Sequence, residues 1–143
     1  HLLNKFPNLK LVLTGGGFSK NLPWIINKGI VKKSELYNLI YYSKCMCVPL
    51  KFGSGTRIKI IEAMAIGAIV VSTSKGIEGI DLKVQNPPFI IDNTKKIIST
   101  IITIINKNKI IKQKSNEQKY YYKNKYSMQR VTNDFIRKNI KLV

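Results

Sequence analysis

Residues 49–67 read PLKFGSGTRIKIIEAMAIG, and this stretch decides the fold. Its first residues are typical of a strand end and its closely spaced glycines of a flexible loop. The run from about residue 56 is typical of a helix, for which Gly67 supplies a left-handed C-terminal cap. The almost wholly apolar segment 68–73 follows at once and predicts a short strand buried in a parallel sheet.

The same alternation of strand and helix extends along the 143-residue chain. Strands are predicted at residues 9–14, within 24–31, and at 44–50, 68–73 and 89–92. Helices are predicted at 35–43, from 56 or 57 to 67, from Asn93 as N-cap to about 106, and at 109–142 with a break near 125–127. The zone 107–125, rich in Lys and Asn, has the least ordered pattern.

This element order predicts an α/β fold, a Rossmann-like doubly wound parallel sheet flanked by helices, with further helices at the C-terminus. One domain of residues 1–143 is expected, because this length supports one hydrophobic core. Ligands of such sheets bind beyond the carboxyl ends of the strands. The loops at 15–17, 50–56 and 73–79 are therefore the candidate binding loops.

Composition limits the functional classes. No stretch approaches the ~20 consecutive apolar residues of a membrane-spanning helix. The net charge of +18 suits nucleic acid or an anionic membrane surface as partner. However, only three of the 25 basic residues are Arg, the residue that contacts bases bidentately, while Lys, Asn and Ile are enriched together. Compositional drift is favoured over a polyanion partner, and no specific nucleic acid is expected.

A basic, non-enzymatic module that binds nucleic acid or an anionic membrane is kept as the alternative function. Its second support is the run Tyr120–Tyr122 among lysines, since aromatic and basic side chains together stack on and pair with single strands. Packing of these tyrosines within a helix is the favoured interpretation.

Cys45 and Cys47 lie two residues apart on a predicted strand. Alternate residues of a strand share a face, so both thiols are expected to point into one packed layer. Such close neighbours form a regular disulfide with difficulty, and the one histidine, His1, is remote in the sequence. We therefore predict two buried free thiols, no zinc site and a reducing, cytoplasmic compartment.

The loop before the predicted helix has the chemistry of an anion site. Glycines let backbone N–H groups approach an anion closely, and a helix N-terminus adds a partial positive charge. Arg57 and Lys59 add full charges. An ordinary flexible loop is the other interpretation. The predicted diphosphate-binding site consists of Gly53, Ser54, Gly55, Thr56, Arg57 and Lys59.

Glu62 is the one carboxylate of this mostly apolar helix, and a buried charge requires a partner. Lys59 shares its helix face and would give a surface ion pair worth less than about 1 kcal/mol. A ribose cis-diol is the other candidate, because each carboxylate oxygen accepts one hydroxyl, as in other α/β nucleotide sites. The distance from helix start to Glu62 matches the reach of a nucleotide, which favours the ribose.

Residues 53–67, followed by Val70–Thr73 and Gly76–Gly79, resemble the donor-site segment of group-1 (family 4) glycosyltransferases with the GT-B fold. The resemblance spans roughly residues 9–79. It implies the C-terminal donor-binding half of a two-domain, retaining, hexosyltransferase-type enzyme. Such an enzyme binds a nucleotide-diphosphate sugar as its substrate and is expected to need no metal ion and no other cofactor.

The resemblance also implies roles for residues. Glu62 would hold the donor ribose, and Arg57 and Lys59 would lie near the diphosphate. The base pocket and the vicinity of the donor would be formed by Gly15, Gly16, Gly29, Ile30 and Val31.

Ser54 stands where many family members carry a second glutamate, eight residues before Glu62, which leaves the sugar open. The basic pair that such enzymes place on the diphosphate would precede His1. The N-terminal acceptor domain and the first part of this domain are likewise expected upstream, so the chain is expected to be an inactive fragment with its catalytic residues unassigned. The acceptor, lipid-linked or polysaccharide, and peripheral membrane association stay open, as do nucleobase and oligomeric state. A sugar-nucleotide epimerase of the same fold is a third alternative.

Overall fold

A computed structural model describes residues 2–17, 22–83 and 87–127. The chain divides into two compact units, His1–Tyr42 and Ser43–Val143. Parallel strands form one sheet in each unit, and helices flank them, which confirms the α/β class. None of the helices in the described part of the chain combines the length and the hydropathy needed to cross a membrane.

The first unit contains a two-stranded parallel sheet. Its elements are α1 (Leu2–Lys5), β1 (Leu11–Leu13), β2 (Ile25–Asn27) and α2 (Lys33–Tyr42). β1 and β2 pair in register from Leu11 opposite Ile25 to Leu13 opposite Asn27. The strand expected within 24–31 thus ends before Gly29, whose φ of +60° leaves the extended conformation.

The second unit contains a three-stranded parallel sheet of order β3-β4-β5. Its elements are β3 (Met46–Val48), α3 (Ile58–Ala65), β4 (Val70–Ser72), α4 (Ser74–Ile77), β5 (Phe89–Ile90), α5 (Thr94–Asn106) and α6 (Asn108–Lys125). The central strand β4 is buried at all three residues, its two valines as their apolar side chains predict and Ser72 with its hydroxyl bonded to the Val48 carbonyl. The helix predicted beyond residue 127 lies outside the described residues.

Two helix ends form as their local sequence predicts. The Asn93 side chain accepts hydrogen bonds from the backbone N–H groups of Lys95 and Lys96 at the start of α5. The last residue of α3 is Ala65, and Gly67, two residues later, turns the chain away with a φ of +87°. The N–H groups of Gly67 and Ala68 donate to the carbonyls of Met64 and Ala63, which satisfies two of the last carbonyls of the helix.

The hydrophobic core of the second unit is formed by the sheet with α5. Ile69, Val71 and Ile104 are buried together. The partly buried side chains that pack against them are Cys45, Phe89, Ile91, Ile97 and Ile111. α3 packs against α6 and buries Ile60 and Met64 completely.

The helix predicted from residue 109, with a break near 125–127, is confirmed as the 18-residue helix α6, which ends at Lys125. Its buried face is polar and aromatic: Gln118 and Tyr122, four residues apart, are both fully buried. The Tyr122 hydroxyl donates to the carbonyl of Asp81, and Lys125 forms an ion pair with the Asp81 carboxylate. These partners lie more than 40 residues away, so local apolar periodicity does not indicate them.

Candidate functional site

In the first unit, the loops after β1 and β2 meet. The backbone N–H of Gly15 donates to the carbonyl of Gly29 at 2.6 Å, and the Gly29 N–H donates to Asn27 Oδ1 at 3.1 Å. Both glycines have positive φ, +104° and +60°. The structure therefore brings together two of the residues predicted to lie near the donor, at the carboxyl ends of their strands.

The space around these loops is open. A Cβ added to Gly15, Gly16 or Gly29 would meet no atom within 4 Å apart from the adjoining residues, among the part of the chain that the structure describes. The side chain of Ile30 is 90% exposed, while Val31 is half-buried. Small residues beside open space permit close approach of a ligand to the backbone.

In the second unit, the loop after β3 closes on itself through Arg57. Gly53 and Gly55 have φ values of +119° and +82°, which explains why glycine stands at both positions. Arg57 Nη1 donates to the carbonyl of Ser54 at 2.6 Å. A Cβ on Gly53 would overlap Nη2 of the same guanidinium, so the missing side chain leaves the room that Arg57 occupies.

The helix after this loop starts one to two residues later than the sequence indicates. α3 begins at Ile58, and its N-cap residue Arg57 makes no side-chain capping hydrogen bond. The Ile58 N–H donates to the carbonyl of Thr56, and the Ile60 N–H donates to that of Arg57. Two first-turn amides therefore already have backbone acceptors, which leaves fewer for an anion than expected. The side chain of Lys59 is exposed.

Glu62 is half-buried rather than buried. The face of α3 that enters the core carries Ile60, Ala63 and Met64. Glu62 lies four residues after Ile58, on the same side of the helix, and Ile58 is 66% exposed. The carboxylate is thus on the side of α3 away from the core, beside an exposed apolar side chain.

Thr73 connects the loop after β4 to the loop after β3 by a hydrogen bond. Its Oγ1 donates to the carbonyl of Leu50 at 2.5 Å and accepts from the N–H of Gly76, as N-cap of α4. Ser72 Oγ donates to the carbonyl of Val48 at 3.0 Å. Both residues lie in segments that the sequence singled out, but these hydrogen bonds were not predicted, although a Thr directly after a strand is a recognisable helix N-cap signal.

Asp92, after β5, connects its loop to the start of α4 by hydrogen bonds. Its two carboxylate oxygens accept from the backbone N–H of Ser74 at 2.9 Å and from Ser74 Oγ at 2.5 Å. These hydrogen bonds hold the pKa of the Asp92 carboxyl below its usual value. No local sequence signal marks Asp92, because its partner is 18 residues away.

Charged side chains of both signs lie near the loop 53–57. Lys75 and Glu78 form an ion pair at 2.5 Å, which lowers the pKa of Glu78, with a smaller contribution from the charge of Arg57. A Cβ on Gly79 would lie 2.8 Å from Thr56 Oγ1, so the two loops also touch there. Arg57 Nε is buried and has no acceptor among the described residues.

Comparison with known families identifies the family of this chain. A family model described as glycosyl transferases group 1 matches residues 1–107, about three quarters of the chain. All of the predicted donor-site residues fall within the match. A comparison with curated proteins found no match. Since parallel strands, short helices and glycine-bearing loops at the carboxyl ends all lie within the matched range, the chain belongs to the group 1 glycosyl transferases.

Proposed function

We propose that this chain binds a nucleotide-diphosphate sugar and holds it for transfer of the sugar to an acceptor, with retention of the anomeric configuration. Glycosyl transfer in general follows from the family. Donor binding rests on one observation, the loop 53–57. It carries two glycines in the left-handed region and a folded Arg57 at the carboxyl end of β3, directly before α3.

Arg57 is the proposed contact for the diphosphate. Its Nε is buried without an acceptor among the residues that the structure describes, and an unsatisfied buried donor costs about 1–3 kcal/mol. A phosphate oxygen would supply the acceptor through a charge-assisted hydrogen bond. The exposed Lys59 adds a second positive charge two residues further on. The proposal includes no metal ion, because these charges and the start of α3 would stabilise the leaving diphosphate.

Glu62 is the proposed acceptor for the ribose hydroxyls. It lies in α3, five residues after the N-cap residue Arg57, on the side away from the core. Each oxygen of an ionised carboxylate accepts a hydroxyl, so one side chain binds a cis-diol. The roles near base and donor that the resemblance implies for Gly15, Gly16, Gly29, Ile30 and Val31 remain predictions.

Titration of the isotope-labelled chain with UDP and with GDP, followed by amide NMR, tests donor binding. We expect shifts in the loop 53–57 and in α3, and in the predicted base and donor contacts Gly15, Gly16, Gly29, Ile30 and Val31. Glu62→Gln should weaken binding about tenfold to hundredfold, since hydrogen bonds to a charged acceptor contribute about 1.5–3 kcal/mol. Glu117→Gln on α6 is the matched control and should bind as the unaltered chain does.

Two results would count against the proposal. One is that neither nucleotide shifts any amide of residues 53–62. The other is that Glu62→Gln and Glu117→Gln bind equally well. The retaining course is tested separately on an enzyme that also carries the predicted N-terminal acceptor domain, by comparing the anomeric configuration of its product with that of the donor. The acceptor, lipid-linked or polysaccharide, and the cytoplasmic location belong to the proposal as well.

No observation favours the basic, non-enzymatic module as a second function. Tyr122 is fully buried and Tyr121 is half-buried, whereas Tyr120 is exposed. The three tyrosines therefore do not present one continuous surface on which bases would stack.

A further inference from the structure

The two cysteines form a thiol pair at the edge of the core. Cys45 and Cys47 flank Met46 at the start of β3, and their sulfur atoms lie 4.0 Å apart. Both are free, Cys45 half-buried against the core and Cys47 exposed. Our expectation of a shared face is confirmed, and that of two buried thiols is wrong for Cys47, because β3 leaves its side chain uncovered.

The strand backbone prevents a disulfide between Cys45 and Cys47, so both remain thiols. Residues two apart on an extended strand cannot reach the S–S bond length of about 2.05 Å without distortion of the backbone.

We propose that Cys45 and Cys47 form a two-thiolate binding site for a soft monovalent cation of the Cu(I) class. Metal–sulfur bonds of about 2.3 Å to two sulfurs 4.0 Å apart meet at the metal at an angle of roughly 120°. The pair thus supplies two corners of a trigonal site without movement of the strand. Soft thiolate ligands select Cu(I), and binding replaces thiol protons by the cation with no change of oxidation state.

The surroundings favour a low coordination number. Residues 2–17, 22–83 and 87–127 contain no group of three or more His, Cys, Asp or Glu side chains that could hold a metal ion. Zn(II) normally takes three or four protein ligands, so it is disfavoured here. Met46 points to the opposite face of the strand from its neighbours and is not a ligand. A small external ligand would complete the site as its third ligand, on the side of the exposed Cys47.

Anaerobic titration of the whole chain with Cu(I), in competition with a chromogenic Cu(I) chelator, tests the site. We expect one equivalent of Cu(I) per chain and at least a tenfold loss of affinity in Cys45→Ser and in Cys47→Ser. Met46→Leu is the matched control on the same strand and should bind as the unaltered chain does. Zn(II) at the same concentration should not displace the bound Cu(I).

A measurement on the unaltered chain avoids any effect of substitution on folding. Mass spectrometry after alkylation should count two modified thiols without Cu(I) and none with one equivalent of it. The proposal is overturned if both thiols remain reactive with Cu(I) present, if either serine variant binds as tightly as the unaltered chain, or if Met46→Leu weakens binding equally. Displacement by Zn(II) would also overturn it.

Discussion

Replacement of Tyr122 by alanine should destabilise the second unit strongly. The side chain is 0% exposed, its ring stacks on Tyr126 with centroids 5.9 Å apart, and its hydroxyl donates to the Asp81 carbonyl at 3.2 Å. Loss of a buried aromatic ring costs about 3–5 kcal/mol. Tyr122→Phe removes the hydroxyl alone and should cost about 1 kcal/mol.

Urea unfolding followed by far-UV circular dichroism measures this loss. Tryptophan fluorescence is unsuitable, because Trp24, the single tryptophan, belongs to the first unit. With a denaturant slope of about 1–3 kcal/mol per molar urea, a loss of about 3 kcal/mol lowers the midpoint by at least about 1 M. Tyr120→Ala is the control on the same helix, since that side chain is 75% exposed, and should stay within about 0.5 kcal/mol.

Equal effects of Tyr122→Ala and Tyr120→Ala would refute this reasoning. An equal and large loss would mean that both rings are buried. An equal and negligible loss would mean that α6 does not pack on the rest of the second unit. A phenylalanine variant as unstable as the alanine variant would instead show that the hydroxyl, not the ring, supplies the stability.

Three further predictions concern single residues of the second unit. Asn93→Ala should cost about 1 kcal/mol in urea unfolding, because it removes the N-cap of α5, and no loss would contradict the cap. Gly67→Ala should cost at least about 1 kcal/mol, since φ is +87° and the new Cβ would lie 3.1 Å from Ser115 Oγ. Asp92 has a lowered pKa, so its contribution to the free energy of unfolding is complete above the unfolded pKa and is lost as pH falls through the folded one. Thermal unfolding between about pH 5 and pH 2 should therefore depend less on pH in Asp92→Asn.

Features with a local cause could be predicted from the sequence. Asn93 caps α5 with its own side chain, Gly67 ends α3 with its own φ, and Val70 and Val71 of β4 are buried because they are apolar. Each depends on atoms within a few residues, so one stretch of sequence contains both the cause and the effect.

Features with a distant cause could not be predicted. The sequence predicts the helix α6 itself but not its contacts with Asp81, which Tyr122 and Lys125 make across more than 40 residues. The link between the loops after β4 and β5 depends on Asp92 and Ser74, 18 residues apart. Polar partners of this kind leave no periodicity, and in a chain so rich in Lys and Asn the sequence does not single out which residues pair.

The loop at the candidate site combines both kinds of cause. Sequence reasoning explained its glycines by the approach of a phosphate. The structure gives Gly53 an internal reason as well, because the Arg57 guanidinium occupies the space of its missing side chain, whereas a Cβ on Gly55 would meet no atom within 4 Å beyond its neighbours, among the described residues. The open side of the loop is therefore at Gly55, and Arg57 already lies folded against the loop by its bond to the Ser54 carbonyl. A guanidinium fixed in this way loses little side-chain entropy when an anion binds, so the folded position of Arg57, which the sequence pattern does not show, is what would make it an effective phosphate contact.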